Sequence, residues 1–382
     1  MIDLLRRIFR KIMPHICRYV FGLKDIIIFK AHHSFKGNVH ALYDYLYEAG
    51  YGNKYKFIWY PDTEEEYIPE TALCIRRSSL KNNYYYKSCA KFIFYEDGCP
   101  VMYKTKGQKV VYLTHGCPSL KNSKGLVDVS IQKTTDALIT SENVRSVMSK
   151  SRQFPEEKMF VCGHPRNDVI FNSPQNYEEL FEKKYNKIIF WLPTFRKMLS
   201  IYDKKQRSDC DINYLYGIPL IMSEDDLEML NKTLSKENII LIIKPHPGAL
   251  KEGIENINYS NITVWSQEYL DKNNINYYRL FKNTDAFISD YSSVIFDAML
   301  ADKPLGYVID DIDDYKLGYA FDNVLDYMPG HHIKTLEDMI SFFEDVSQGK
   351  DIYKEKRDKI SALVNTFPDG NNCKRIAEIF RL

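Results

Sequence analysis

The chain has 382 residues, 45% of them hydrophobic and 27% charged, with 17 glycines, a composition that excludes a fibrous protein and a chain dominated by disorder. Its formal charge of +1 lacks the basic excess of a dedicated nucleic-acid binder, so no nucleic acid is expected as a partner. The eight cysteines are scattered, with no C-x-x-C pair and no zinc-type grouping with histidine, which fits a reducing compartment, and the length favours two domains over a single core.

The first predicted element is a helix. In "MIDLLRRIFRKIMPHICRYVFG" a helical projection puts Ile2, Leu5, Ile8, Phe9, Ile12, Ile16 and Tyr19 on one face, with Arg6, Arg7, Arg10, Lys11 and Arg18 opposite. The segment lacks a small-residue cleavage site and a long apolar centre, so it is not a secretory signal. Nor is any apolar run of the chain, such as "IILII" at Ile239 to Ile243, long enough to span a bilayer. A basic amphipathic helix over residues 1–24 suits an anionic membrane surface. The competing reading is that the same stripe packs on its own domain; Pro14 kinks the helix in either case.

From Asp25 onward, short β-branched and aromatic runs alternate with stretches of helical period. Strands are expected at "DIIIFK" from Asp25, "YKFIWY" from Tyr55, "KFIFY" from Lys91, "KVVYL" from Lys109, "DALIT" from Asp136 and "MFVCG" from Met159. These runs are apolar throughout and do not alternate, as parallel strands covered on both faces require. They define a first α/β domain over residues 25–173. The polar "NSPQNYEELFEKKYN" (Asn172 to Asn186) reads as a domain junction followed by a helix. A second series follows in 174–382: "KIIFWL" from Lys187, "IILIIK" from Ile239, "ITVW" from Ile262, "DAFIS" from Asp285 and "PLGYVI" from Pro304. Two doubly wound domains in tandem are the expected architecture, with ligands beyond the carboxyl ends of the strands.

Those ends carry a recurrent chemistry. "KVVYL" leads into "THGCPSLK" with His115, and "MFVCG" into "HPRND" with His164 and Arg166. "KIIFWL" leads into "PTFR" with Thr194 and Arg196, "LIIK" into "PHPG" with Lys244 and His246, and "FIS" into "DYSS" with Asp290, Ser292 and Ser293. Singly, each has an ordinary explanation: a turn histidine satisfied by backbone, a surface ion pair, a solvated strand end. Ser292 or Ser293 is either a helix N-cap or one wall of a phosphate site at a helix N-terminus. Together they are the groups that bind or protonate phosphate oxygens. No G-x-G-x-x-G follows a strand and no P-loop motif is present, so neither of those fingerprints accounts for them.

With "HSFKGN", "THGCPSLK", "GHPRND", "PTFR", "IIKPHPG", "ISDYSSVIFD", "KPLGYVIDDIDDY", "MPG" and the terminal "DGNNCKRIAEI", the chain resembles the CDP-glycerol glycerophosphotransferase family of teichoic acid and capsule primases and polymerases. The resemblance runs in order from about residue 25 to the end. It implies a GT-B fold, two Rossmann-like domains facing across a cleft, with the CDP-linked donor held by the C-terminal domain and the acceptor by the N-terminal one. It implies transfer of a polyol phosphate, glycerol phosphate foremost and ribitol phosphate next, to a hydroxyl of a lipid-linked saccharide or growing chain, with release of CMP. No cofactor or catalytic metal is implied, and the location is the inner face of the bacterial cell membrane. One departure lies on the acceptor side: Cys117 stands where the family has Thr, and Ser119 is an extra residue before Leu120 and Lys121.

Carried onto this chain, the resemblance makes His115 the general base, since an imidazole near its normal pKa suits that task at neutral pH. His246 hydrogen-bonds the diphosphate or protonates the leaving phosphate. Thr194, Arg196, Lys244, Asp290, Ser292, Ser293 and Asp297 form the donor site, Asp297 lying one helical turn past Ser293. Ser34, Lys36, Gly37 and Arg166 face the acceptor. Two other functions compete: a GT-B glycosyltransferase using a nucleotide sugar, and a non-catalytic module that binds an anionic surface polymer.

Overall fold

The structure, a computed structural model of the chain, describes all residues except 1, 32–36, 62–67, 76–80, 115, 117, 123–128, 178–179, 182, 195, 200–205, 247–252 and 255–256, and for 2–7, 81–83, 197–199 and 206–207 it describes the backbone alone. The chain divides into two units, residues 1–118, 123–169 and 365–382 forming the first and residues 119–122 and 170–364 the second.

The first unit is built on a seven-stranded sheet of β1 (Lys24–Lys30), β2 (Lys56–Trp59), β3 (Leu73–Cys74), β4 (Ala90–Tyr95), β5 (Lys109–Tyr112), β6 (Asp136–Ile139) and β7 (Met159–Val161), in the order β3-β2-β1-β4-β5-β6-β7. All of its pairings are parallel. The apolar runs explain this: Ile27, Phe29, Trp59, Phe94 and Val111 are fully buried, and only strands covered on both faces tolerate such sequences. Helix α2 (Asn38–Glu48) closes one face by placing Val39, Leu42, Tyr43 and Leu46 in the same core.

The last helix, Asn372–Phe380, also belongs here, adding Cys373, Ile376, Ala377 and Phe380 to that core. The second domain expected over 174–382 therefore ends earlier, at residue 364. Hydrogen bonds account for the return. Asp168 accepts from the backbone N–H groups of Asn372 at 2.9 Å and Cys373 at 2.8 Å, and Asn372 donates its side-chain amide to the His164 carbonyl at 3.0 Å. The Asp168 carboxyl thus caps the helix N-terminus; burial raises its pKa, and the two N–H bonds at the helix start offset part of that rise. Gly163 makes the approach possible: its φ is +80°, and a Cβ there would lie 2.2 Å from Asn372 Oδ1.

Helix α1 (Ile2–Phe21) runs unbroken through Pro14. It rests on the unit by one flank: Cys17 is buried, Phe9 and Phe21 meet Tyr84 and Tyr85 edge to face at 5.7 and 5.3 Å, and Arg18 Nε donates to the Lys106 carbonyl at 3.1 Å. Elsewhere on its apolar side, among the described residues, Ile8, Ile12 and Ile16 are almost half exposed, Val20 62% and Tyr19 91% exposed. Packing on its own domain thus accounts for only part of the stripe.

The second unit holds β8 (Lys187–Trp191), β11 (Ile239–Ile243), β12 (Ile262–Val264), β13 (Ala286–Ser289), β14 (Leu305–Val308) and β15 (His331–Ile333) in a parallel sheet of order β12-β11-β8-β13-β14-β15. A separate antiparallel hairpin, β9 (Lys197–Leu199) with β10 (Gln206–Ser208), follows β8. The junction 173–186 carries no α-helix among its described residues. There Phe181 stacks on Trp265 at 5.8 Å and Tyr177 shares a 2.7 Å hydrogen bond with Thr284, so these aromatic residues tie the segment to the unit. Ser119–Asn122 joins the same unit through the bonds Ala320 N–H to Leu120 O at 2.8 Å and Asn122 N–H to Gly318 O at 2.9 Å.

In each sheet the chain starts centrally and the strand order reverses beside that first strand, between β1 and β4 and between β8 and β13. Ligands of such sheets bind at the carboxyl ends on either side of the reversal. The register sharpens this for the second unit. Trp191 of β8 pairs with Ile243 of β11 and with Ile288 of β13, so three neighbouring strands end at one level and discharge "PTFR", "KPHP" and "SDYSS" side by side.

Candidate active site

Beneath those loops lies a buried charged network. Thr194, Arg196, Asp290 and Asp311 are each no more than 3% exposed. The Asp290 carboxylate accepts from the Thr194 N–H at 2.9 and 3.1 Å, from the Thr194 hydroxyl at 2.5 Å and from Arg196 Nη1 at 2.8 Å. Arg196 donates through Nε and Nη2 to the two oxygens of Asp311 at 2.5 and 3.0 Å, and through Nη1 to the Thr194 carbonyl at 3.0 Å. Tyr291 adds its hydroxyl to Asp311 at 2.9 Å, and its ring and that of Tyr315 lie 5.1 and 5.4 Å from the guanidinium. Burial alone pulls the Arg196 pKa down, but Asp290 and Asp311 outweigh it and hold the guanidinium well above its ordinary value. The bidentate fork suits this geometry, which a lysine would not reproduce. Thr194, Arg196 and Asp290 therefore bond chiefly to one another and to Asp311, pinning the loops after β8, β13 and β14 together.

The hydroxyls sit differently. Ser293 occupies the N-cap position of the short helix Val294–Ala298 with φ −65° and ψ −18°, and its side chain makes no capping bond. Ser292 Oγ accepts from the Val294 N–H at 3.4 Å, a long contact, and both serines are partly exposed. Behind them Asp297 is buried and accepts from the Tyr278 hydroxyl at 2.9 Å, which fastens the helix to the 3-10 turn Tyr277–Asn283. From the neighbouring strand, Lys244 is 5% exposed with its Nζ 5.0 Å from the centre of the Tyr277 ring, and His246 is partly exposed two residues later. Partly exposed alcohols and backbone amides above a rigid polar floor can accept an anionic oxygen without reorganising.

In the first unit the loops after β1, β5 and β7 meet at Asn38. Its side-chain amide donates to the carbonyls of Thr114 at 2.9 Å and Leu113 at 3.3 Å, and its oxygen accepts from the Arg166 N–H at 3.1 Å. Thr114 takes a left-handed φ of 62° and shares a 3.0 Å hydrogen bond with His164 Nε2. Glu96, at the end of β4, accepts from the Val39 N–H at 2.6 Å and so caps α2 from across the sheet. Gly37 is required by this packing, because a Cβ there would lie 2.4 Å from Glu96 Oε2. Gly37 and Arg166, expected on the acceptor side, are thus joined through Asn38, whereas His115, Ser34 and Lys36 lie outside the described residues. Asn38, Glu96, Tyr291 and Asp311 escaped the sequence reading. Glu96 had a usable signal, since it is an acid directly beyond an apolar strand.

Comparison with known proteins agrees with this architecture. A family model for CDP-glycerol:poly(glycerophosphate) glycerophosphotransferase matches residues 14–381. The teichoic acid poly(glycerol phosphate) polymerase of Bacillus spizizenii is 27% identical over 342 residues, 81% of each chain. The poly(ribitol-phosphate) polymerase of the same organism is 26% identical over 62% of this chain, which spans only 38% of that relative's length. Among solved structures, the wall teichoic acid polymerase TagF superposes with a TM-score of 0.73 at 20% identity, over 99% of this chain and 94% of that one. The expected GT-B class, two Rossmann-like parallel-sheet domains with an N-terminal helix, is borne out by the two sheets and this likeness.

Proposed function

The chain belongs to the CDP-glycerol:poly(glycerophosphate) glycerophosphotransferase family, an enzyme class that moves a polyol phosphate from a CDP-linked donor in teichoic acid synthesis, and from that premise we propose how its residues carry out the transfer. The donor diphosphate lies at the carboxyl ends of β8, β11 and β13, with its oxygens on the Ser292 and Ser293 hydroxyls and the amides of the helix they open. Lys244 and His246 flank it, and His246 stabilises or protonates the departing CMP. Arg196, Thr194, Asp290 and Asp297 support this surface from below. A hydroxyl of the acceptor, deprotonated by His115, attacks the phosphorus that bears the polyol; the new P–O bond forms as the bond to the CMP oxygen breaks. Gly37 and Arg166 belong to the acceptor side, with Ser34 and Lys36 as further contacts. Glycerol phosphate is the proposed group, and the acceptor is a lipid-linked saccharide or a growing polyol-phosphate chain for wall polymer or capsule.

The observation that carries this reading is the uncommitted Ser293 hydroxyl at a helix start, directly after the Asp290–Arg196 network and at the sheet's reversal point. The experiment is CMP release from CDP-glycerol, CDP-ribitol and UDP-glucose in parallel, with a short synthetic acceptor. CDP-glycerol is expected to turn over fastest; sugar transfer from UDP-glucose without CMP release from either polyol donor would reject the reading in favour of a glycosyltransferase.

No helix among the described residues is long and apolar enough to cross a membrane. The apolar side of α1 left uncovered by the first unit supports peripheral seating on the inner membrane face. Deleting Met1 to Gly22 is expected to abolish liposome binding while sparing turnover of a soluble acceptor analogue. Unfolding of the truncated chain would instead make α1 a structural helix.

A further inference from the structure

Beside α1 the first unit has an open groove of about 310 Å3, lined by Arg10 and Pro14 of the helix, by Tyr84 and Lys87, and by the loop that includes Met102 and Tyr103. Among the described residues its lining contains two cations and no carboxylate. Arg10 is exposed, while Lys87 is held by a 2.6 Å hydrogen bond to the Tyr60 hydroxyl and lies 4.0 Å from the centre of that ring. The rim is apolar: Met102 is 55% exposed, and Phe9, one residue before Arg10, is 48% exposed.

A free anion explains the charge but not an apolar rim left in water. An anionic phospholipid explains both, because its phosphate lies at the level of the cationic flank of an interfacial helix and its acyl chains meet the apolar one. We propose that this groove holds the headgroup of an anionic membrane phospholipid. Arg10 pairs with the phosphodiester oxygens, Tyr84 and Tyr103 flank the glycerol, and the exposed Met102 meets the first carbons of the acyl chains. The inference rests on the peripheral seating of α1 proposed above and adds to it a discrete lipid site and a second point of insertion.

The test uses the full-length protein with vesicles of phosphatidylcholine alone or with added phosphatidylglycerol. Lys11 is an exposed neighbour of Arg10 outside the groove's lining, so Lys11→Gln reports surface charge alone, expected to weaken binding about fivefold. Arg10→Gln is expected to weaken it about thirtyfold, because a paired phosphate contact is lost as well. The three native tryptophans are buried, so a Met102→Trp variant gives a distinct signal: its emission is expected to shift to the blue on phosphatidylglycerol vesicles and to be quenched by brominated acyl chains. Equal losses for the two charge variants, an unshifted emission, or displacement by millimolar inorganic phosphate would overturn the lipid site while leaving the seating of α1 intact. Failure of the wild-type chain to bind any vesicle would overturn both.

Discussion

Arg196 is 1% exposed between Asp290 and Asp311, neither of which has any exposed surface. Removing one acid from such a set leaves a buried charge uncompensated, and that cost exceeds the net contribution of the intact pair. Asp311→Ala is therefore expected to lower stability by about 3–5 kcal/mol, read from denaturant unfolding; a change within about 0.5 kcal/mol, the range of an ordinary surface substitution, would show that the network carries no structural weight. Residues of this kind were only partly legible in the sequence. Arg196 and Asp290 stood out because each closely follows an apolar strand. Asp311 did not, because its partner lies 115 residues away and nothing local distinguishes it from the other acids of "DDIDDY". The serines were legible as a pair at a strand-to-helix turn, but whether either served as a cap was a question of dihedral angles.

At the scale of elements, the long β-branched runs became the central strands because their length and composition leave no other buried arrangement. Leu73–Cys74 and His331–Ile333 were not foreseen, since segments of two and three residues are too short to show a period. The helix Asn372–Phe380 has a clear apolar face, yet periodicity says only that something is covered, and its cap lies 204 residues upstream at Asp168. Asp168→Ala is expected to cost about 1–2 kcal/mol and to open the segment before that helix to protease. Undiminished protection would mean that the apolar face alone holds the helix. On β15, His331 packs 5.1 Å from both the Phe342 and Tyr353 rings, and burial lowers its pKa from the ordinary 6.5, against the pull of Asp345. The unfolded chain then binds a proton that the folded chain resists, so this contribution is complete above about pH 6.5 and is lost as the pH falls towards the depressed folded value. Unfolding measured across that window is expected to show a shallower slope in His331→Phe; an unchanged slope would assign the acid sensitivity to other groups.

At the scale of the molecule, the two sheets repeat one winding rule, and in the second the reversal between β8 and β13 coincides with the loops that carry Thr194, Arg196, Asp290, Ser292 and Ser293. That coincidence is what the succession of strand ends encoded. The path of the chain was less legible: Ser119–Asn122 belongs to the second unit and residues 365–382 return to the first, because docking by a few backbone bonds leaves no compositional trace. The most direct measurement is equilibrium binding of CDP-glycerol to the full-length protein and to a Ser292→Ala, Ser293→Ala double variant of unchanged thermal stability. Loss of two hydrogen bonds to a charged diphosphate, each about 1.5 kcal/mol or more, predicts a dissociation constant raised at least about a hundredfold. Equal affinity in the two proteins would contradict the account.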